Sequence, residues 1–285
     1  MTRKICVIGA NGQLGSDICH SFEKNGDQIF GLDHVGIEIT DINTVKKVLH
    51  EINADMVINT AAMHHVGNCE VEPQKAFLVN GIGSRNLALI CREIQSPLVH
   101  ISTDYVFDGK KETPYIETDR PVPLNVYGNT KLSGEYFIES IAEKYFILRV
   151  SGIYGKNPCR AKGSNFVQTM LRLAKEKSEI RVVDDEILTP TFTGDIADQI
   201  VKLLSGVSEY GLYHVTAEGE CSWYEFAAEI FSITGTDVVL NPAEPGEFAG
   251  NVMRPKRCVL ENKHLKDQNL NIMFHWKEGL RRYLT

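Results

Sequence analysis

The sequence lacks long hydrophobic runs and lacks a basic surface pattern. No apolar stretch reaches the roughly 18 residues needed to cross a bilayer, and the first residues lead into a strand-like segment rather than a signal peptide. The net charge is -7, and the lysines and arginines are dispersed apart from a modest cluster at Arg254, Lys256 and Arg257. These absences disfavour membrane proteins and nucleic-acid-binding proteins. We therefore expect a cytosolic (cytoplasmic) protein.

The cysteines lack the pattern of a disulfide framework or a zinc site. They are odd in number, scattered, and contain no Cys-x-x-Cys pair: Cys6, Cys19, Cys69, Cys91, Cys159, Cys221 and Cys258. Reduced thiols, several of them in buried elements, are the expectation. No second cluster of histidines or carboxylates at ligand spacing accompanies His64 and His65, so no metal site is predicted.

The size and the alternation of segments indicate an α/β protein. A chain of 285 residues with 43% hydrophobic residues can bury a full core. Apolar strand-like segments alternate with helical segments, which predicts a doubly wound parallel sheet of the Rossmann type. We expect a dinucleotide-binding domain at 1–150 with a returning segment at about 190–206. A smaller α/β substrate-binding lobe would comprise 151–189 and 207–285, including a strand around Tyr213.

A glycine-rich loop follows the first predicted strand. Lys4 to Ile8 is a short apolar run typical of a buried parallel strand, and Gly9 to Gly15 follow it before a helix. Glycines at this point allow a tight turn and a close approach of a pyrophosphate to the helix N-terminus. The second strand, Gln28 to Leu32, ends at Asp33, where a carboxylate can hold a ribose 2′-hydroxyl. This order predicts binding of NADPH or NADH, and Asp33 favours NADH because it would repel a 2′-phosphate.

Tyr127 and Lys131 carry the acid–base chemistry that the sequence offers. They are four residues apart, so both lie on one face of a helix. An ammonium group beside a phenol in a poorly hydrated pocket can favour the phenolate by about 4 kcal/mol, which would lower the tyrosine pKa toward neutrality. The pair could then exchange a proton with a carbonyl oxygen. The spacing alone is weak evidence, because a surface tyrosine beside a lysine stem gives the same pattern.

Thr103 follows the apolar strand Leu98 to Ser102, at the edge of the sheet where ligands of such folds bind. Its hydroxyl could hydrogen-bond a substrate carbonyl or cap the next turn. Position alone favours the cap.

Several motifs in order make the chain resemble the extended short-chain dehydrogenase/reductases. The strongest are Gly9-Ala10-Asn11-Gly12-Gln13-Leu14-Gly15, Ser102-Thr103-Asp104-Tyr105-Val106-Phe107-Asp108-Gly109 and Pro123-Leu124-Asn125-Val126-Tyr127-Gly128-Asn129-Thr130-Lys131. Further matches are Asn165-Phe166, Pro190-Thr191 with Asp195, and Ser222 to Phe226. The resemblance covers nearly the whole chain.

The resemblance implies an oxidoreductase that reduces the C4 carbonyl of a nucleotide-linked 4-keto-6-deoxy sugar. Thr103 would orient the carbonyl, Tyr127 would protonate the oxyanion, and Lys131 would hold the nicotinamide ribose and tune Tyr127. The expected cofactor-binding residues are Gly9, Asn11, Gly12, Gln13, Leu14, Gly15, Asp33, Ile39, Thr60, Ala61, Ala62, Tyr127 and Lys131. The expected substrate-binding residues are Thr103, Asp104, Tyr105, Asn165, Phe166 and Arg254.

The sequence departs from the family pattern where the sugar should bind. Met63-His64-His65 stands where a tyrosine and a threonine are usual, Gly152 where a tryptophan is common, Glu186 in place of glutamine, and Cys258 in place of serine. The particular sugar is therefore left open. His64 and His65 are equally compatible with substrate contact and with a loop position that has no chemical role.

Three other functions compete with this interpretation. A 4,6-dehydratase is disfavoured, because Tyr105 stands where those enzymes have a second acid after Thr103-Asp104. A reductase of a different nucleotide-linked keto sugar and a non-catalytic dinucleotide-binding regulatory subunit both stay open. The sequence is silent on the oligomeric state, for which a homodimer is one expectation.

Overall fold

The computed structural model describes residues 2–157, 163–205, 209–244, 246–248 and 250–285. The strands are β1 (Lys4–Ile8), β2 (Gln28–Leu32), β3 (Met56–Asn59), β4 (Leu98–Thr103), β5 (Tyr145–Val150), β6 (Ile153–Tyr154), β7 (Glu179–Val182), β8 (Ile187–Leu188), β9 (Thr191–Phe192), β10 (Gly211–His214), β11 (Cys221–Ser222), β12 (Val239–Pro242) and β13 (Arg257–Cys258). The α-helices are α1 (Gln13–Lys24), α2 (Ile42–Ile52), α3 (Val66–Val71), α4 (Pro73–Phe77), α5 (Ser84–Glu93), α6 (Val126–Ile141), α7 (Phe166–Glu176), α8 (Thr193–Ser205), α9 (Trp223–Thr234), α10 (Lys263–Asp267) and α11 (Trp276–Leu284).

A six-stranded parallel sheet with the order β10-β5-β4-β3-β1-β2 forms the centre of the molecule. The direction of winding reverses at β1, so the carboxyl ends of β1 and β3 border a crevice in which ligands of open α/β sheets bind. The predicted fold class is confirmed. The strands predicted at Lys4 to Ile8, Gln28 to Leu32 and Leu98 to Ser102 are present within one residue of their expected ends.

Both faces of the sheet are covered, because side chains alternate along each strand. In β1, Ile5 and Val7 pack in a core with α1 and α8, whereas Cys6 and Ile8 pack in a second core with α2 and α5. The sequence therefore shows β1 as a continuous apolar run. No helix in the described part of the chain is both long and apolar enough to cross a membrane.

The strand around Tyr213 lies in a different place from the one predicted. We expected it in the second lobe, but β10 is the sixth strand of the central sheet and pairs in parallel with β5. Tyr213 and Val215 are buried in the core that also contains residues of α8, and this burial stabilises β10 at the edge of the central sheet. The residues of a four-residue strand do not by themselves determine with which other strand it pairs. The other domain boundaries stay a prediction.

The second half of the chain packs around an aromatic core. Tyr154, Phe192, Phe226 and Trp276 are buried there between α7, α9 and α11. The helices α7 and α9 follow Asn165 and Ser222, which act as N-caps in capping boxes. The described cysteines are free thiols. Cys159, most of the stretch 156–163 and part of the loop 242–255 lie outside the described residues.

The helical stretch from Pro73 to Glu93 contains a π-helical section at Leu78–Gly83 between α4 and α5. Asn80 lies within this section. Its side chain accepts a hydrogen bond from the Met63 amide (2.8 Å) and donates to the Met63 carbonyl and to Thr130 on α6. The irregular section thus joins the loop after β3 to α6, as π-bulges near functional sites often do.

Candidate active site

One cleft at the carboxyl ends of the central strands contains all the predicted site residues. It has a volume of about 590 Å³ and is bordered by the loops after β1 and β3, the end of β4 and the start of α6. Every predicted cofactor- and substrate-binding residue, from Gly9 to Arg254, lines it, and so do His64 and His65. A second cavity of about 990 Å³ between α7 and β7 shares Asn165, Phe166 and Arg254 with the cleft. The roles of the individual residues stay predictions.

The glycine loop brings the backbone of β1 against the start of α1. Gly9 has φ +83°, and its amide donates to the Leu32 carbonyl at 2.8 Å. A Cβ at Gly15 would lie 2.2 Å from the Gly9 carbonyl oxygen, so only glycine fits there. The first turn of α1 carries no acidic residue, and Gln13, Leu14 and Gly15 line the cleft. The first amides of a helix have no partner within the helix and carry its positive dipole end. These features fit the pyrophosphate of a dinucleotide.

Asp33 lies at the end of β2 and is held in a fixed orientation. Its carboxylate accepts hydrogen bonds from Asn11 Nδ2 (2.9 Å) and from the amides of Val35 (3.0 Å) and Gly36 (3.2 Å). It therefore borders the part of the cleft next to the glycine loop, where the adenosine ribose of a dinucleotide would lie.

The start of α6 is pressed against the turn that follows β4. Asn125 caps the helix by accepting from the Gly128 amide at 2.9 Å. A Cβ at Gly128 would lie 2.2 Å from the Tyr105 carbonyl oxygen, so glycine allows this close approach. The rings of Tyr105 and Tyr127 then meet edge to face with centroids 5.7 Å apart. This packing fixes the position of Tyr127 relative to Thr103.

Tyr127 does not have the lowered pKa that the sequence predicts. Desolvation raises the pKa of its phenol, and the Thr103 hydrogen bond opposes this only in part. The Lys131 amino group is directed away from the Tyr127 phenol. Its Nζ donates to the Ile101 carbonyl at 2.7 Å and lies 3.1 Å from His100 Nε2. Desolvation lowers the pKa of Lys131 to about 8. A phenol that stays protonated at neutral pH can act as a proton donor.

Asp104 orients Thr103. Its Oδ1 accepts from Thr103 Oγ1 (2.9 Å) and its Oδ2 from Ser151 Oγ (2.7 Å). Burial raises the pKa of Asp104 to about 6, with both hydroxyl groups opposing the shift. Because the Thr103 hydroxyl donates its proton to Asp104, its oxygen is left to accept, and the Tyr105 amide donates to it at 3.2 Å. We predicted Asp104 as a substrate contact, and its 4% exposure favours this supporting position.

Several polar residues beneath the site escaped the sequence analysis. They are Asn59 on β3, His100 and Ser102 on β4, Glu135 on α6, and Arg149 and Ser151 at β5. A signal for four of them was available, because Asn59, His100, Ser102 and Arg149 interrupt otherwise apolar strands.

The residues predicted to bind substrate differ in their surroundings. Asn165 donates to the Gly155 carbonyl and to Tyr283 in addition to capping α7. Phe166 packs on Trp223 with ring centroids 4.6 Å apart. Arg254 borders both cavities, and its charge partly opposes the rise that burial causes in the pKa of Glu186. An aromatic surface beside a guanidinium group suits a nucleotide with its phosphates.

The two histidines after β3 occupy different positions. His65 caps α3 by accepting from the Asn68 amide at 3.1 Å, which is a structural role. His64 Nδ1 lies 3.4 Å from the Ala62 carbonyl, and its part in substrate binding stays open. Within the described ranges, no group of three histidine, cysteine or carboxylate side chains is arranged to hold a metal ion.

Comparison with known proteins gives consistent matches along the full chain. Residues 3–285 match the family described as RmlD substrate binding domain. The chain is 40% identical over 281 residues to the spore coat polysaccharide biosynthesis protein SpsK of Bacillus subtilis, covering 99% of this chain and 96% of the relative. It is 35% identical to a dTDP-4-keto-6-deoxy-D-glucose reductase of Streptomyces niveus, covering 98% and 96%. The crystal structure of a Bacillus anthracis dTDP-4-dehydrorhamnose reductase in complex with NADP has a TM-score of 0.95, with 39% identity and coverage of 100% and 99%.

Proposed function

The chain belongs to the RmlD substrate binding domain family of extended short-chain dehydrogenase/reductases, and we propose from this membership that it is a dTDP-4-dehydrorhamnose reductase. It reduces the C4 carbonyl of a dTDP-linked 4-keto-6-deoxy sugar and produces dTDP-rhamnose for polysaccharide biosynthesis. The observation that carries the proposal is the position of Thr103, Tyr127 and Lys131 in the cleft that also contains the glycine loop.

The residues of the cleft are suited to each part of this reaction. The amides at the start of α1 and the close packing of Gly9 against Gly15 would hold the cofactor pyrophosphate. The nicotinamide of NADPH or NADH, when bound, supplies the hydride. Tyr127 donates its phenol proton to the C4 oxygen as that oxygen gains negative charge. Thr103 holds the Tyr127 hydroxyl in position, and Lys131, which lines the same cleft, would hold the nicotinamide ribose.

The choice between NADPH and NADH depends on Asp33. The Bacillus anthracis relative is complexed with NADP, whereas a carboxylate at this position repels a 2′-phosphate. We propose that NADPH and NADH are both accepted and that Asp33 limits the use of NADPH. Replacing Asp33 with asparagine removes the charge, so the ratio of kcat/KM for NADPH to that for NADH should rise about tenfold, equivalent to about 1.4 kcal/mol. An unchanged ratio would show that Asp33 does not contact this part of the cofactor.

The deciding experiment follows the absorbance of the reduced nicotinamide ring, which is lost as the cofactor is oxidised. Purified protein is mixed with NADPH or NADH and with the 4-keto-6-deoxy-L-lyxo-hexulose linked to dTDP, generated in place by an upstream dehydratase and epimerase. Oxidation of the cofactor with dTDP-rhamnose as the product supports the proposal. Cofactor binding without oxidation contradicts it and favours either another nucleotide-linked keto sugar as the substrate or a regulatory subunit.

A second candidate substrate is favoured by one relative. The Streptomyces niveus protein is named as a reductase of dTDP-4-keto-6-deoxy-D-glucose. The two sugars differ in stereochemistry, and Gly152 and Glu186 border the region where this difference would be read. Omitting the epimerase from the assay tests this substrate directly. Faster turnover without the epimerase would mean that dTDP-4-keto-6-deoxy-D-glucose, and not dTDP-4-dehydrorhamnose, is the substrate. The homodimer and the cytoplasmic location stay predictions.

A further inference from the structure

A chain of hydrogen bonds runs beneath the cleft and ends at Lys131. The Ala61 amide donates to Asn59 Oδ1 at 3.1 Å, and Asn59 Nδ2 lies 3.1 Å from His100 Nδ1. On the other side of the imidazole ring, His100 Nε2 lies 3.1 Å from Lys131 Nζ. The side chains are sealed from solvent, with exposures of 1% for Asn59, 0% for His100 and 2% for Lys131.

The direction of this chain is fixed at its backbone end. An amide N–H can only donate, so the Asn59 oxygen must face Ala61 and the Asn59 NH₂ group must face His100. His100 Nδ1 therefore accepts a hydrogen bond. A neutral imidazole that accepts at Nδ1 carries its proton on Nε2, and that N–H points at Lys131 Nζ.

Lys131 can complete this chain in only one of its protonation states. An ammonium group has no lone pair, so it would meet the His100 Nε2–H as donor against donor. A neutral amine accepts that bond and still donates to the Ile101 carbonyl at 2.7 Å. We propose that Asn59 and His100 are positioning residues which donate a hydrogen bond to the Lys131 amine and thereby favour its neutral form.

Neighbouring groups agree with a neutral imidazole. Burial and the Lys131 charge both hold the pKa of His100 well below its usual value. Glu135, one turn along α6, raises the pKa of Lys131, but it is bonded to Arg149 and Ser102. The other titratable groups on elements packed against α6 are Cys69 and Glu70 on α3, Lys75 on α4, Arg85, Cys91, Arg92 and Glu93 on α5, Tyr145 on β5, and Asp104 and Tyr105 in the turn after β4.

The consequence for the proposed reaction is that both forms of Lys131 are accessible near neutral pH. Burial, opposed in part by the Glu135 charge, already lowers the pKa of Lys131 to about 8. This consequence rests on the proposed function, whereas the hydrogen-bond chain itself does not.

The first test is the tautomer of His100, measured by ¹⁵N NMR on the full chain with labelled histidine. Comparison with the His100→Gln variant identifies the resonances. We expect the Nε2–H tautomer between pH 6 and pH 9. His214 is a matched control in the same spectrum, because its Nδ1 lies 3.1 Å from the carbonyls of both Tyr115 and Glu261 and must carry the proton. An Nδ1–H tautomer at His100 overturns the proposal.

The second test is the pKa of Lys131, followed through its ¹³Cε shift in wild type and His100→Leu. The variant removes the donor to the amine, so the pKa should rise by about one pH unit, the equivalent of one hydrogen bond. If His100 only fills space, the more apolar leucine lowers the pKa or leaves it unchanged, and the proposal fails. His100→Gln keeps an N–H donor and should restore the lower value. Neither test requires turnover, so an inactive enzyme would contradict the proposed function alone.

Discussion

Tyr127 borders the cleft as a neutral phenol, and this protonation state suits reduction rather than oxidation. Desolvation raises its pKa, and the Thr103 hydroxyl lies within reach as a hydrogen-bond partner. An acid that is already protonated at neutral pH can deliver its proton as the hydride arrives at the carbonyl carbon. The lysine at 131 is directed at the strand beneath rather than at the phenol.

Replacing Tyr127 with phenylalanine should lower kcat by about 10²–10⁴-fold, because it removes only the positioned acid. Binding of NADPH, measured by fluorescence titration, should be nearly unchanged. Tyr136→Phe is the control, since Tyr136 lies on the exposed side of the same helix. Full activity of the Tyr127 variant would remove Tyr127 from the mechanism.

Protonation of Asp104 should cause kcat/KM to fall at acid pH. Its pKa is raised to about 6, so the carboxylate is present above that pH and is lost below it. Protonation releases the Thr103 hydroxyl from its fixed direction, so kcat/KM should fall about tenfold per pH unit below pH 6. The fold itself should survive, because a raised pKa means that the folded state binds this proton more tightly than the unfolded state does.

A pH profile of kcat/KM for wild type and Asp104→Asn checks this expectation, since the variant should lack this fall, the acid limb of the profile. Burial raises the pKa of Asp195 to about 6 as well, although Asp195 is paired with Arg282. Asp195→Asn should retain the limb. Loss of the acid limb in Asp195→Asn would mean that Asp195, and not Asp104, causes it.

At the scale of elements, α6 is the helix on which the site depends. Glu135 anchors it to the sheet by accepting from Arg149 Nε (3.0 Å) and Nη2 (2.6 Å) and from Ser102. The Arg149 guanidinium also lies over the Phe107 ring at 5.1 Å. Tyr127, Lys131 and Glu135 are spaced four residues apart, so the ion pair continues the face that carries the chemistry.

Glu135→Leu should destabilise the protein by about 3–5 kcal/mol, because it leaves the Arg149 charge buried without a partner. Urea unfolding followed by circular dichroism measures the change. Asp267→Ala is the control: it breaks the exposed pair with Lys263, for which a loss of at most about 1 kcal/mol is expected. Equal losses in the two variants would mean that the buried pair does not anchor α6.

The elements also show where local patterns are sufficient. Short apolar runs, glycines and N-capping residues predicted the strands and helices that build the cleft. The π-helical section at Leu78–Gly83 was not predicted, because its sequence is compatible with an ordinary helix and the irregularity is stabilised by contacts of Asn80 with the loop after β3 and with α6.

At the scale of the whole molecule, the cleft joins segments that are far apart in the sequence. The glycine loop, the ends of β3 and β4, the start of α6 and Arg254 all border it. A ligand that binds across these segments stabilises the folded state alone. Its effect should therefore be visible in the unfolding of the entire chain.

NADPH at 100 times its Kd should raise the free energy of unfolding by about 2.7 kcal/mol, which is measurable as an increase in Tm by calorimetry. In Gly15→Ala, the new Cβ would meet the Gly9 carbonyl at 2.2 Å and distort the loop. The increase in Tm should be lost in that variant. An equal increase in both proteins would place the cofactor elsewhere.

The sequence by itself determined the parallel α/β fold, the glycine loop, and the position of Tyr127 and Lys131 on one helix face. These features follow from short-range patterns: apolar runs, glycine spacing and two residues one helical turn apart. The wider set of residues that meet in the cleft was expected only from the family resemblance. Only the tertiary structure decided the place of β10, the support of Thr103 by Asp104 and Ser151, and the direction of Lys131 toward His100. These depend on burial and on hydrogen bonds between strands distant in sequence, and a residue's desolvation and partners exist only once the chain has folded.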